Sequence, residues 1–459
     1  MLVFLKEKWK FIFPILLVEM YLIFTVLLLF FGPLDWNISN SIKLSSYLFM
    51  YHFSFVFGYV FFLYKKKDQN KPKSTFYVDG FIIDNYKYIL IFSFLGSVIS
   101  YKNMTFGESL IPSSFFTDLY IGLVEPAKAR IIYAKNILNM ENFGNPYISA
   151  FLLLLSPFKY ILLPSIVYFW PKLKTRYKVS GLFISLIPLL GGVVSSISAI
   201  NFSYFFIIVV TLLVIVFQQS NIRNVKRELM SRRTIICFLI FIFTFSLYQF
   251  YAVKSGANLY QLTVEDTSVE RFDYLGDKGV LFKNNDERTV LYDFYEKITV
   301  YLVQGYKGMS ISLDYPFDST YGAGHSIFLQ RVFEDYLGFN VREHTYQRKI
   351  TSLWNENVYW HSAYSYFAND FSFKGVVVVM FLLGYLFALL IYKIINFNDI
   401  FSKLLLPLFA IMILYLPANN QVFSFLEYMI PFWFLLFMII ISAYVYKKYK
   451  IQIVSEKIC

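Results

Sequence analysis

The chain has 459 residues, 57% hydrophobic and 16% charged, with a mean hydropathy of +0.53 and a formal charge of +12. Soluble domains carry about 25% charged residues, and here 21% of all residues are aromatic. These figures exclude a soluble enzyme, a nucleic-acid-binding module and a disulfide scaffold, and they fit a polytopic membrane protein.

The N-terminus, Met1 to Lys10, runs into a long apolar stretch without a small-residue cleavage site, so it reads as a retained first span. Apolar runs of membrane length follow at about 11–32, 46–64, 88–101, 147–170, 179–199, 202–218, 234–252, 373–394, 402–418 and 424–446. The third is short, and is either tilted or extended toward Phe81. Lys and Arg set the orientation, because cytoplasmic loops retain them. Lys6, Lys8 and Lys10 begin the series, followed by Lys65 to Lys73, Lys172 to Lys178, Arg223 to Arg233, and Lys447 to Lys457. The intervening short turns hold only Lys43. That alternation predicts ten spans with both termini in the cytoplasm. Cys237 lies in an apolar run and Cys459 at the terminus, which gives no disulfide framework and no metal knuckle.

The expected organisation has three parts. Residues 1–252 hold seven spans and an amphipathic outer segment near 102–146, with Phe115–Met140 as its regular stretch. Residues 253–371 form one large extracytoplasmic loop, and 372–459 hold three further spans. The large loop carries 16 of the chain's 30 acidic residues against 11 basic ones, so the +12 is a topology signal and no nucleic-acid partner is implied. Within it, Ser326 is placed to cap a helix running to Tyr336, with Gly338 as its stop. The loop shows little hydrophobic core of its own and reads as a folded lid.

The motifs of soluble enzymes are absent. There is no P-loop, no G-x-G-x-x-G, no H-E-x-x-H, no G-x-S-x-G and no D-x-D, so neither a cofactor nor a metal is called for. What remains is a set of arginines and histidines on the outer side. Arg binds two phosphate oxygens at once, and Arg331, Arg342 and Arg348 are candidates for that role, as is Arg130 in the outer segment. A local helix pair with Glu334 or Asp335 explains Arg331 equally well, and an interfacial anchor explains Arg130. Three of the four histidines, His325, His344 and His361, fall in the same stretch. His325 follows Gly322-Ala323-Gly324, a backbone able to approach a ligand closely. Inside the spans the ionisable residues are Glu19, Lys159 and Glu427. The depths of Glu19 and Lys159 match, so a bundle-organising ion pair between them is expected.

The segment from Asn357-Val358-Tyr359-Trp360-His361 to Asp370-Phe371-Ser372-Phe373-Lys374-Gly375, with the topology, resembles Wzy-type O-antigen or capsule repeat-unit polymerases. In that family an Asn-containing loop leads into an aromatic-Asp-Phe-Gly-x-x-Gly-like start of the next span. Asn357, Asp370, Phe371 and Gly375 match, and Ser372 stands where the first glycine is usual. The mid-chain outer turn Ser195 to Asn201 lacks the Arg common in related polymerases and ligases. The resemblance implies an all-α, GT-C-like integral membrane glycosyltransferase with about ten spans in the bacterial inner membrane. It implies a donor and acceptor that are both undecaprenyl-diphosphate-linked oligosaccharides, joined on the outer face without a metal. A chain-length regulator and a flippase would be its partners, besides the lipid bilayer. His325, His361 and Asp370 are then candidates for proton transfer, and Arg130, Arg331, Arg342, Arg348 and Asn357 for binding the diphosphate or sugar. An O-antigen ligase and a polysaccharide flippase are the alternatives.

Overall fold

The computed structural model describes residues 2–65, 74–105, 110, 114–138, 146–219, 222–256, 281–282, 289–449 and 451–454. The lysine run after Lys65 and much of the segment between 257 and 288 lie outside them. In chain order the first helices are α1 (Leu2–Phe31), α2 (Ser41–Lys65), α3 (Val78–Asp84), α4 (Tyr86–Met104), α5 (Phe115–Val124) and α6 (Pro126–Leu138). Then come α7 (Pro146–Ala150), α8 (Leu152–Phe169), α9 (Thr175–Val194), α10 (Ser198–Phe217), α11 (Ile222–Ser231) and α12 (Arg233–Gly256). The last are α13 (Val290–Ser312), α14 (Ile327–Leu337), α15 (Tyr346–Lys349), α16 (Ala363–Phe397), α17 (Ile400–Tyr415) and α18 (Leu426–Tyr449).

The protein is an almost wholly helical, multi-pass membrane protein. Among the described residues, eight helices are long and apolar enough to cross a bilayer, and α3 with α4 makes a ninth if that pair, bent by 62°, is one span. The bend at Asn85 is how the short third run gains length toward Phe81. Helix α17, with 16 residues, falls short of the spanning length. Two strand pairs complete the inventory: Leu34–Asp35 runs antiparallel to Leu281–Phe282, and Ser74–Tyr77 parallel to Ile451–Val454.

The chain forms two compact units. The first comprises Met1–Lys71, Phe272–Asn396 and Phe409–Phe425. Here α2 and α16 approach so closely that a Cβ on Gly58 would collide with the Phe381 carbonyl, and one on Gly384 with that of Phe55. Small residues allow such backbone contact between membrane helices. Tyr51 Oη and Ser54 Oγ donate to the carbonyls of Phe373 and Val377, each at 2.7 Å, across the same contact.

Helix α13 is a departure from the loop reading. Thr289 caps it by accepting from Tyr292 N, and Val300, Val303, Tyr306 and Met309 on its inward side are all buried. Tyr306 Oη lies 3.1 Å from Thr25 Oγ1 of α1, and Tyr306 and Tyr51 both stack on Tyr364. Lys307 Nζ donates to Asn37 O, Asn40 Nδ2 to Ser310 O, and Lys43 pairs with Asp314 at 2.9 Å. The large loop therefore shares its core with the spans of this unit. Gly305 and Gly308, two lysines and Gln304 dilute the hydropathy of α13, which hides it from an apolar-run criterion.

The second unit comprises Pro72–Arg271, Phe397–Leu408 and Leu426–Cys459, built round α4, α8, α9, α10, α12 and α18. Pro126 opens α6 and breaks the amphipathic stretch after Glu125, as expected of Pro at the first helical position. The expected Glu19–Lys159 pair is replaced by two others. In the first unit Glu19 Oε2 lies 3.1 Å from His52 Nδ1. In the second, Lys159 Nζ binds Glu427 and donates to Ser100 Oγ at 2.7 Å. Depth along a span gives one coordinate only. Helix α8 packs most heavily on α4 and α18, and these supply the partners of Lys159.

Candidate functional site

The first unit holds a carboxylate-centred cluster built from three separate pieces of chain. Helix α16 is broken at Ser372, whose φ of 60° and ψ of 164° are not helical. The break leaves Asp370 in the last turn of the first half, beside the turn Thr320–Ser326. Tyr321 and Gly322 both take positive φ, 54° and 83°, which folds that turn round the carboxylate.

Asp370 receives four donors: Thr320 Oγ1 at 2.5 Å, Gly324 N and His325 N at 2.9 Å, and His325 Nδ1 at 2.8 Å. Its side chain is 1% exposed and that of His325 is 20% exposed. A Cβ on Gly324 would strike Thr320 and Asn369, so the wrap requires glycine there. Asn369 Nδ2 donates to Gly324 O at 2.9 Å and to Gln347 Oε1 at 2.8 Å, while its Oδ1 accepts from Tyr346 N. Gln330 Nε2 also donates to Gly324 O, and Asn420 Nδ2 to His325 O. The Phe423 ring meets the His325 ring edge to face, with centroids 5.8 Å apart.

With Nδ1 donating to a carboxylate, neutral His325 keeps its lone pair on Nε2. A carboxylate placed this way also stabilises the imidazolium that forms when Nε2 takes a proton. The pair is therefore suited to general-base chemistry.

Arg342 and Arg348 meet on one buried carboxylate. Glu356 binds Arg348 Nη1 at 3.0 Å and Arg342 Nε at 3.4 Å, and its side chain is 8% exposed. Arg342 Nη2 donates to Asn357 Oδ1 at 3.3 Å, and Glu334 Oε1 accepts from Arg342 N. These two arginines are thus paired residues, with side chains 27% and 34% exposed. Arg348 lies in α15 and Arg342 in the turn before it, and Tyr346 and Gln347 of α15 are the residues that Asn369 holds. The arginine pair and the dyad share that anchor.

The other candidates lie elsewhere. Arg331 is exposed on α14, whose Ser326 cap and left-handed Gly338 stop form as the sequence predicts. Arg130, on α6 of the second unit, lies over the Tyr133 ring at 5.3 Å. His344 pairs with Asp318 at 2.6 Å near the surface, and this hydrogen bond holds the Asp318 carboxyl below the usual range. His361 is buried, with no hydrogen-bond partner on either ring nitrogen among the described residues, and burial pushes its pKa down to about 3. It is a neutral core ring beside Trp354 and Gly308. No group of three or more metal-ligating side chains occurs among the described residues.

Thr320, Asn369, Asn420 and Glu356 belong to the site but are not evident from the sequence. Asn369 adjoins Asp370, so its adjacency to the one loop carboxylate at a span boundary is a usable signal. Nothing local marks Thr320 or Asn420. No family model, curated protein or solved structure matches the chain.

Proposed function

We propose that the protein is a polysaccharide polymerase of the bacterial inner membrane with both termini in the cytoplasm. It would join undecaprenyl-diphosphate-linked oligosaccharide repeat units on the outer face. The observation that carries this reading is the His325–Asp370 dyad, whose Asp370 belongs to the polymerase-like Asn357-to-Gly375 stretch. In the proposed step, His325 Nε2 takes the proton of an acceptor sugar hydroxyl while Asp370 stabilises the imidazolium. The freed oxygen attacks the anomeric carbon of the donor chain. The bond from that carbon to the diphosphate oxygen breaks, and the lipid diphosphate leaves with the electron pair. Arg342 and Arg348 neutralise the charge that develops on it, without a metal.

The test is the length distribution of surface polysaccharide in cells whose only copy is His325→Gln. Loss of the base is expected to slow polymerisation by about 10²–10⁴-fold, leaving single repeat units on the acceptor at normal protein level. Accumulation of lipid-linked long chains would instead make the protein a ligase, and loss of all external repeats a flippase. Unchanged chain length would remove the dyad from the chemistry.

A further inference from the structure

The turn that wraps Asp370 carries an aromatic residue that the fold does not use. Ala323 N donates to Thr320 O at 3.0 Å, closing a four-residue turn with Tyr321 and Gly322 at its tip. Both tip residues take positive φ, 54° and 83°, as in the mirror-image turns whose usual pair is Asn-Gly. Gly322 fits that pattern and Tyr321 breaks it. A bulky side chain is strained in the left-handed region, where asparagine and glycine sit more easily. Packing does not offset the strain, since Tyr321 is 70% exposed. Among the described residues its ring meets no other ring or cation and its Oη has no hydrogen-bond partner, while its backbone N donates to Ser319 Oγ at 3.3 Å. A Cβ placed on Gly322 would meet no atom within 4 Å, so the tip stands clear.

What the turn does fix is position. Thr320, directly before Tyr321, donates through Oγ1 to Asp370, and Gly324 N and His325 N beyond the turn donate to the same carboxylate. Tyr321 is therefore mounted on the frame that sets His325, four residues away. That length of chain spans at most about 14 Å, and less when folded into a turn. A strained residue that the fold does not require, held beside a base that reaches solvent, marks a substrate contact. The ring's chemistry says which part of a substrate it takes. Its face carries the negative lobe of the aromatic quadrupole, and the axial C–H bonds of a sugar ring present weakly positive hydrogens to it. The phenol adds a donor and an acceptor for sugar hydroxyls. With two side-chain torsions to fix, tyrosine gives this contact at low entropic cost.

We propose that Tyr321 is the stacking platform for a sugar ring of the acceptor repeat unit, holding it so that one of its hydroxyls reaches His325 Nε2. The inference rests on the polymerase reading of the dyad, and adds to it the residue that orients the acceptor.

The test is saturation-transfer NMR of the full chain in neutral detergent, with thermal melts of the same samples. The probe is the repeat-unit oligosaccharide cut from the surface polysaccharide of the producing cells. Tyr321→Asn puts the usual residue in the turn. It is expected to melt at or above the wild-type temperature and yet bind the oligosaccharide about ten-fold more weakly, the scale of one lost stacking contact. Tyr321→Phe keeps the face and is expected to stay within about three-fold of wild type, the share of one exposed hydrogen bond. Wild-type protein that binds no oligosaccharide would overturn the polymerase reading and this inference with it. Binding by wild type and Tyr321→Asn alike would overturn the inference alone, and leave the ring as an anchor at the membrane interface. Equal losses in Tyr321→Asn and Tyr321→Phe would also overturn it, because the contact would then be a hydrogen bond. So would a fall in the Tyr321→Asn melting temperature beside its loss of binding, which would make the ring a structural element of the turn.

Discussion

Asp370 in the first unit and Glu427 in the second are both carboxylates held by a nitrogen base, and their surroundings set them apart. Glu427 meets Lys159 and Ser100 inside a helix bundle, where the two opposite charges answer each other beside a small pocket that both line. Asp370 is more deeply buried, yet it holds a His325 ring that reaches solvent. One cluster is saturated; the other leaves a nitrogen lone pair free to act. Burial of a charge is therefore a poor guide to function here. The better guide is whether the partner has a second, unused face.

The largest effect follows if the second-unit pair is broken. Lys159→Ala would strand Glu427 in the bundle, a loss of about 3–5 kcal/mol, seen as reduced folded protein and a lower melting temperature in detergent. Adding Glu427→Leu removes the stranded charge and is expected to restore most of that stability. If the double variant is no better than the single, Lys159 and Glu427 do not form the pair that defines the saturated cluster.

A smaller effect sharpens the contrast through two histidines of the same unit, His361 and His325. His361 has no hydrogen-bond partner among the described residues, and burial pushes its pKa down to about 3 from an ordinary 6.5. The unfolded chain therefore takes up a proton near pH 6.5 that the folded chain refuses until about pH 3. The stability tied to this neutral ring is full above pH 6.5 and is lost as pH falls through that window, by about 1.4 kcal/mol per pH unit. His361→Leu is expected to flatten the melting temperature between about pH 6 and 4 relative to wild type. It is also expected to leave polysaccharide length unchanged, unlike substitution of His325. An unaltered pH slope would mean that His361 is not the buried neutral ring described above.

What the sequence made legible divides along the same line. Spans are legible because lipid demands long apolar runs, and α14 because Ser326 and Gly338 are local signals. Helix α13 is hidden from an apolar-run criterion because its buried side is mixed with lysines and glycines: Lys307 donates to Asn37 O in the turn after α1, and Gly305 and Gly308 admit Pro417 and Trp354 closely. The nomination of His325 and Asp370 rested on residue type and neighbourhood, and the structure joins them. Their supporting residues, Thr320 and Asn420, are 50 positions before and after Asp370 in the chain, and no local pattern reports such contacts. Glu19 and Lys159 take other partners, His52 and Glu427, because matching depth does not by itself bring two side chains together.

The smallest effect concerns the break that sets Asp370 in place. Ser372 has φ 60° and ψ 164°, a region that side chains with a Cβ occupy at a cost of about 1–3 kcal/mol. It is also the position where the resembling polymerases carry glycine. Ser372 offers one compensation, since its Oγ accepts from Gly375 N at 3.4 Å and caps the second half of α16. Replacing a capping serine by glycine loses only a few tenths of a kcal/mol, less than the strain relieved. Ser372→Gly is therefore expected to raise stability by about 1 kcal/mol with the dyad and its chemistry intact. Ser372→Ala keeps the strain and discards the cap, so it is expected to lower stability by about 1 kcal/mol. Thermal melts of the two variants beside wild type read the difference directly. If glycine and alanine shift the melting temperature in the same direction, the break is not strained at Ser372, and the geometry that presents Asp370 to His325 has another origin.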